Sequence, residues 1–550
     1  MTPEDKMLAE LSELLIRLMD NSLTAEEFQR LQTLLREHPL ARQYYFDLLT
    51  TVAGMEEIQE IASAEEERVT ALLGALAENE RTATAVPVEK PSEKQEKSET
   101  QTKPAGPAVS KLSLYALLLS SAALLMLMAY ALWVSGKPTG VEVATLTDCI
   151  DAKWSLPYSP QKGMRLMTDD EPIQMLKGFV KVQTDSGAQL ILEAPAEFRF
   201  RSGDELAMSY GRIFVNVAGA PNGFTVQTQK SKIIDLGTQF GVYTDLRGDS
   251  ELHVFEGKTV LIAGLANQQE RLLDVPAGQA CLFGQKKETI VPIPLSADTF
   301  AKWIDSEVGL IWRGQKEISL ADVVGGGNGF GTGQADQGIR VETAAFGKPE
   351  CRTRRTGNGY FPVSASVFVD GIFVPDGGRE QTVSSTGLIF GDCPKTSGFY
   401  FMDPVSTPST VRSRKNPKGL PIRLGDTDYS QPAHPCLFLH SNLGITFDLQ
   451  AFTSRLPGVE IAEFRSEIGI SDTAERASSA VFWVLVDGQV RYRKDVQKRG
   501  PADIIRIPLE KTDRFLTLMT TDAGDLEPEW EDNPNGYDWC VWGKPILILK

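Results

Sequence analysis

The chain has 550 residues, 42% of them apolar, with 56 Lys and Arg against 73 Asp and Glu, a formal net charge of −17. Such a length predicts two to four domains, and the apolar share is ordinary for globular protein. The acidic balance argues against a nucleic-acid protein, which would show a basic face, and only four histidines (His38, His253, His434, His440) leave little for histidine chemistry or His-rich metal sites.

Residues 1–80 read as a small α-helical bundle. Thr2 and Pro3 start a first helix as cap and first helical residue. Leu8, Leu11, Leu14, Leu15 and Leu18 then form an apolar face at helical spacing, and Asp20-Asn21-Ser22 breaks it. Thr24 and Glu27 form a capping box for a second helix, faced by Phe28, Leu31, Leu34 and Leu35 and stopped by Pro39. Tyr44, Tyr45, Leu48 and Leu49 mark a third helix, and an acidic fourth runs from Met55 to Ala77. The stretch holds 17 acids and 6 bases, which suits either a solvated surface or a docking face for a basic partner. It has no cysteine, so a zinc-stabilised His-Cys-Cys bundle is excluded. Residues 15–49 (LIRLMDNSLTAEEFQRLQTLLREHPLARQYYFDLL) resemble the cytoplasmic helical domain at the start of FecR-like membrane regulators. That resemblance implies an extracytoplasmic-function sigma factor as the partner of residues 1–80.

Residues 81–111 contain no aromatic residue, Leu or Ile, and are dominated by Lys, Glu, Ser, Thr and Pro. They cannot bury a core and are predicted to be a disordered linker. Residues 112–134 (LSLYALLLSSAALLMLMAYALWV) carry no charge over 23 residues. As a helix they reach about 34 Å, against a hydrocarbon core of about 30 Å. They are predicted to be a single transmembrane helix, and they come too late in the chain to be a signal peptide. Lys94, Lys97, Lys103 and Lys111 precede the span, while Lys137 and Lys153 follow it. This favours the N-terminus inside and the long C-terminal part outside, and the resemblance to FecR-like regulators implies that the membrane is the bacterial cytoplasmic (inner) one. All six cysteines (Cys149, Cys281, Cys351, Cys393, Cys436, Cys540) follow the span, an arrangement that permits disulfides without requiring them.

From 140 to 290 the apolar period changes to two. Short runs such as 189–192, 212–217, 224–228, 240–243, 252–255 and 258–262 alternate with Gly, Asp and Asn turns, the pattern of an all-β domain. The segments VATLTD (143–148), SGAQLILEAPAEFRF (186–200), GRIFVNV (211–217), GFTVQTQKSKIIDLGTQFGV (223–242) and ELHVFEGKTVLI (251–262) resemble the FecR domain, most sharply in 235–241 and 254–257. Gly237, Gly241 and Gly257 suit turns or close packing, and none of these residues proposes a chemistry. His253 reads as a satisfied strand residue. The resemblance implies transmission of an outer signal, yet this chain continues for some 250 residues beyond the domain.

Residues 300–550 are predicted to form a C-terminal β-sandwich of jelly-roll type. The glycine run 325–333 lacks the Lys-Ser or Lys-Thr of a phosphate cradle and reads as a flexible loop. Residues 481–493 (VFWVLVDGQVRYR) predict a hairpin with a type I′ turn at Asp487-Gly488, with Phe482, Val484 and Val486 on one face and Trp483 and Leu485 on the other. The segments 437–452, 456–472, 482–493, 513–525 and 538–549 resemble the NPCBM domain, a galactose-binding-like module whose family name implies glycan binding. Trp539 and Trp542 beside Asp538, with Arg491 and Tyr492, are the candidate ligand residues, because sugar sites pair aromatic faces with polar groups. Core packing is the competing reading of both tryptophans. The acidic stretch 522–538 suggests calcium at Asp522 and Asp525, although the EF-hand spacing is absent.

No G-x-S-x-G, H-E-x-x-H, Walker A or framed Cys-His pair is present, so the chain reads as a non-enzyme. Its acids are numerous enough to hold an unmarked carboxylate pair. The leading expectation is a single-pass signal transducer, an anti-sigma-like regulator sensing an extracytoplasmic ligand such as a glycan or a surface protein. The alternative is a cell-surface glycan-binding or scaffold protein without signalling output.

Overall fold

The computed structural model describes Leu14 and residues 140–550, apart from 156–158, 169–170, 218–222, 236, 265–270, 285–289, 356–358, 376–379, 413–415, 476–477, 499–501 and 523–536. The predicted helical bundle (except Leu14, which is helical and buried), the linker and the membrane span at 112–134 lie outside the described residues. Among the described residues, no helix is long and apolar enough to cross a membrane.

Residues 142–293 build a 13-stranded sheet. The strands Glu142–Trp154, Ile173–Thr184, Gln189–Ser202 and Glu205–Asn216 pair antiparallel in sequence order. The last of them then serves two partners. Its first residues run parallel to Thr225–Gln227, and its second half runs antiparallel to Gln239–Thr244. The division falls at Gly211, where φ is +125° and an added Cβ would stand 2.5 Å from the Cβ of Ala196. Only glycine fits both the dihedral and the gap. The two branches curl around one core, to which both contribute: Leu190, Leu192 and Phe198 with Ile213, Val215, Phe240, Val242 and Val254. The predicted period of two is visible in Ser231–Asp235, whose alternate residues are buried.

The most family-like residues turn out to be turn-holders. Asp235 is buried, and its carboxylate accepts from the Gly237 amide at 3.0 Å and from the Thr238 hydroxyl. Gly257 has φ +72° and faces the Thr238 methyl. His253 is a satisfied core residue, as expected. Its Nδ1 accepts from the Ser296 amide at 3.3 Å, and its Nε2 lies 3.3 Å from the Glu251 carboxylate.

Residues 296–313 pack onto the outside of this sheet. Phe300, Ala301 and Ile304 are buried against Ile191 and Phe214. Gly241 lets the Phe300 ring lie flush, since a Cβ there would come within 2.7 Å of it. Burying Phe300 and Ile304 contributes about 3–6 kcal/mol. The segment closes as a hairpin, Trp303–Asp305 with Leu310–Trp312. The Ser306 amide and hydroxyl donate to Asp148 at 3.0 and 2.5 Å. Arg313 holds Glu193 through two bonds of 2.8 and 3.0 Å. Burial opposes ionisation of Asp148, yet the Ser306 bonds and Lys162 outweigh it and hold the carboxyl below its ordinary range.

The C-terminal part is a β-sandwich of an eight-stranded and a six-stranded antiparallel sheet. Phe464, Trp542 and Leu547 of the first meet Ile445, Phe447, Phe482, Val484 and Leu518 of the second. Val486 pairs with Gln489 across Asp487 (φ +49°) and Gly488 (φ +79°), the two positive dihedrals that a type I′ turn requires. Phe482, Val484 and Val486 enter the main core as predicted. Trp483 and Leu485 point the other way, but that face is covered too, by Phe373, Val383 and Phe390. The helix Leu449–Arg455, capped by Asp448, joins the sandwich to the docked hairpin: Arg455 reaches Asp305 at 2.7 Å and Glu307 at 3.1 Å.

The glycine run at 325–333 differs from its expected open loop. It follows the short helix Leu320–Val324 and wraps around Asp322, whose carboxylate accepts from the Gly329 and Gly333 amides at 2.7 Å each. Asn328 ties it back to the Gly309 carbonyl at 3.0 Å. A carboxylate organises this loop from inside. The sequence permits disulfides without requiring them, and in the structure Cys149, Cys281, Cys393, Cys436 and Cys540 form none, all but Cys149 being buried.

Candidate functional site

The predicted ligand residues do not converge. Trp542 is 0% exposed between the two sheets, and Trp539 is 2% exposed in a satellite cluster with Tyr429 and Phe438. Both indoles serve as core, and neither offers a face to a sugar. Arg491 is exposed and Tyr492 half-buried on Gln489–Gln497, an edge strand of the six-stranded sheet. Trp542 belongs to Cys540–Leu549 in the other sheet. The spacing of three between the tryptophans, read as one aromatic face, is that of a strand and its approach, and both sides are covered.

Asp538 leads instead into a buried polar cluster at one end of the sandwich. It is 2% exposed. Burial pushes its carboxyl well above the ordinary range, the Ser441 hydroxyl opposes that rise, and the charge of Asp522 adds to it. Asp522 accepts from the Ser397 amide at 3.1 Å, the Ser397 hydroxyl at 2.5 Å and the Asn442 side-chain amide at 2.8 Å. Asn442 returns the contact, its side-chain oxygen accepting from the Asp522 amide at 2.9 Å. Its backbone sits at φ +65°, a left-handed turn that asparagine tolerates better than most residues. Thr520 completes the set by donating to the His440 carbonyl at 2.8 Å. Segments near 397, 442 and 522, distant in sequence, are thus fixed to one carboxylate.

This geometry decides what the cluster can do. His440 is buried against the Phe401 ring, and desolvation pushes it down to about 4, so it is neutral at physiological pH. Its Nδ1 lies 3.2 Å from the Ser441 carbonyl, while its Nε2 and the Trp542 Nε1 are buried without a hydrogen-bond partner. The Ser441 hydroxyl lies 3.5 Å from the His440 Nδ1, at the outer limit of a hydrogen bond, and both residues are buried. The calcium expectation meets a carboxylate already used as a hydrogen-bond acceptor at Asp522, and Asp525 lies outside the described residues. Among the described residues, no group of three or more His, Cys, Asp or Glu could hold a metal. The cluster is a rigid anchor beneath loops, the kind of support that a loop-borne binding site needs. Ser397, Asn442 and Thr520 went unread in the sequence. The one local signal was Asn442 before an apolar strand, a turn residue whose long-range partners are not visible locally.

Comparison with known families follows this division of the chain. A "FecR protein" family model matches residues 176–259, and an "NPCBM/NEW2 domain" model matches residues 402–547. The first covers Gly211, Asp235 and Gly257, and the second covers His440, Asn442, Thr520, Asp522 and Asp538 but begins just after Ser397. These are a regulatory and a carbohydrate-binding type of domain, and neither is a catalytic family. A search of curated proteins gave no match. Among solved structures, the CBM51-2 and INT domains of Clostridium perfringens ZmpB align at 19% identity and TM-score 0.19, over 24% of this chain and 26% of that one. A provisionally assigned anti-sigma factor from Parabacteroides distasonis aligns at 18% identity and TM-score 0.21, over 23% of this chain and 61% of that one. The CBM51 of Clostridium perfringens GH95, solved with methyl-galactose, aligns at 15% identity and TM-score 0.19, over 25% and 85%. At such scores these likenesses carry no weight for function.

Proposed function

We propose that the chain is a single-pass regulator of a bacterial cytoplasmic membrane. Residues 1–80 hold an extracytoplasmic-function sigma factor inside, residues 112–134 span the bilayer, and the FecR-type and NPCBM-type domains face outward, where a glycan or a surface protein is the input. The observation that carries this reading is the presence of both domain matches in one chain, joined by a hairpin bonded into each. A sensor must bind its ligand differently in two states for any signal to pass. A connector fixed through Ser306, Arg313 and Arg455 is a physical means of passing one domain's displacement to the other.

The test is co-purification from the native host of the tagged full chain and of a version lacking residues 1–80. Recovery of one sigma factor with the full chain, lost on deletion, supports the regulator. If the full chain reaches the membrane yet recovers no sigma factor under any growth condition tried, the reading gives way to a surface-binding scaffold.

A further inference from the structure

The two family matches leave residues 260–401 unassigned, and the docked hairpin lies there. Beside it, where the FecR-type sheet meets the sandwich, is a cleft of about 290 Å³, near the lower end of ligand-pocket sizes. Its floor is a cross-strand ladder. Gln189 pairs with Asn216, Asn216 with Gln239, and Gln239 with Glu256, on four neighbouring strands. Residues directly opposite one another share a face, so three carboxamides and one carboxylate stand in a row about 4.8 Å apart. One wall is the hairpin, where Trp303 and Trp312 are themselves a cross-strand pair flanked by Lys302 and Lys316. The other wall is the turn 456–459 of the sandwich.

Several side chains of this cleft are left with unused bonding capacity. The Gln189 and Gln239 carboxamides make no hydrogen bond among the described residues. The Trp303 Nε1 is buried without a partner. The Lys302 ammonium lies 4.1 Å from the centre of the Phe255 ring, an attraction that leaves its N–H donors unused. Carboxamides offer a donor and an acceptor side by side, which matches adjacent hydroxyls. Half-buried indoles match the C–H face of a pyranose ring. The three lysines of the lining, Lys302, Lys316 and Lys550, outnumber the Glu256 carboxylate and favour an anion.

We propose that this junction is a binding site for an acidic saccharide, a pyranose bearing a carboxylate. Gln189 and Gln239 take its hydroxyls, Trp312 lines its apolar face, and Lys302 and Lys316 take its charge. The site is separate from any sugar site of the sandwich loops and does not depend on a sigma factor. A ligand seated there touches both domains and the hairpin between them, so its binding resists their separation.

The test is a titration of the full chain, followed by intrinsic tryptophan fluorescence and calorimetry, with a panel of uronate- and sialate-bearing oligosaccharides and their carboxyl-methylated counterparts. The expected result is saturable binding of at least one acidic member. It weakens tenfold or more in the double variant Gln189→Ala/Gln239→Ala and on methylation of the ligand. Lys302→Gln weakens the acidic ligand and leaves the methylated one as it was, a distinction that a general loss of structure cannot produce. Arg491→Ala, on the far sheet, leaves binding unchanged. No binding across the panel, or equal binding by the double variant with an unaltered thermal transition, overturns the proposal.

Discussion

Asn442→Ala tests the cluster at the sandwich end most directly. Asn442 is 0% exposed, donates to Asp522, Ser397 and the Phe399 carbonyl at 2.8–3.0 Å, and accepts from the Asp522 amide. Alanine removes every one of these bonds and strands the backbone N–H of Asp522. A hydrogen bond to a charged group is worth about 1.5–3 kcal/mol, and an orphaned buried donor costs about as much again. Alanine must also hold φ +65°, at about 1 kcal/mol. The expected loss is about 4–7 kcal/mol, a large part of the stability of a module of this size. At about 2–4 °C per kcal/mol, the transition falls by about 8–28 °C. The assay is thermal unfolding of the full chain followed by tryptophan fluorescence, to which the buried Trp483, Trp539 and Trp542 report from the sandwich. Asn442→Gly removes the dihedral penalty alone and should recover about 1 kcal/mol of the loss. A transition within 2 °C of the parent for Asn442→Ala would show that the cluster is not what holds these loops.

Three further outcomes follow from the same structure. His440 is pushed down to about 4 by burial, against an ordinary value near 6.5 unfolded, so the unfolded chain takes up a proton first on acidification. Stability contributed by the neutral ring is present above pH 6.5 and falls by about 3 kcal/mol in total as pH drops toward 4; His440→Gln should flatten that slope by close to one proton, and equal slopes in pH-dependent denaturant titrations would count against it. Asp538 works in the opposite sense, because its raised native carboxyl keeps a proton that the unfolded chain has lost. Thiol labelling of the native chain followed by mass spectrometry should leave Cys281, Cys436 and Cys540 unmodified, since all three are buried and desolvation pushes Cys281 up to about 11; rapid labelling of any of them would refute the burial. Arg455→Ala removes the bonds to Asp305 and Glu307, worth about 1.5–3 kcal/mol together; amide exchange in 303–312 should quicken about tenfold or more, while the strands of 142–256 stay protected.

How far these features could be read in the sequence depends on the range of the forces behind them. Strand alternation, the Asp487-Gly488 turn and the core faces of Phe482, Val484 and Val486 follow from neighbours within a few residues, and all are present. The tryptophans at 539 and 542 were ambiguous for a physical reason. An indole has the same size and polarity whether it faces a ligand or a second sheet, and only the fold supplies the Phe464 and Phe482 rings that enclose Trp542. The glycine run looked open because its organiser, Asp322, precedes it on a helix and reaches forward by 7 and 11 residues.

The hairpin at 303–312 shows the same limit with larger consequences. Nothing within it announces an interface: Trp303 and Trp312 lie in a stretch of mixed polarity, and the partners that give it meaning are Asp148, Glu193 and Arg455, more than 100 residues away on either side. Those three contacts cannot all be kept if the sheet and the sandwich separate, and the carboxamide ladder meets the indole pair only while they hold. A ligand that requires the assembled cleft therefore stabilises the joined arrangement by RT ln(1 + L/Kd), which grows with its free concentration L. Loss of the Arg455 contacts should weaken that ligand even though Arg455 does not line the cleft, whereas a site confined to the FecR-type sheet would be indifferent to the substitution.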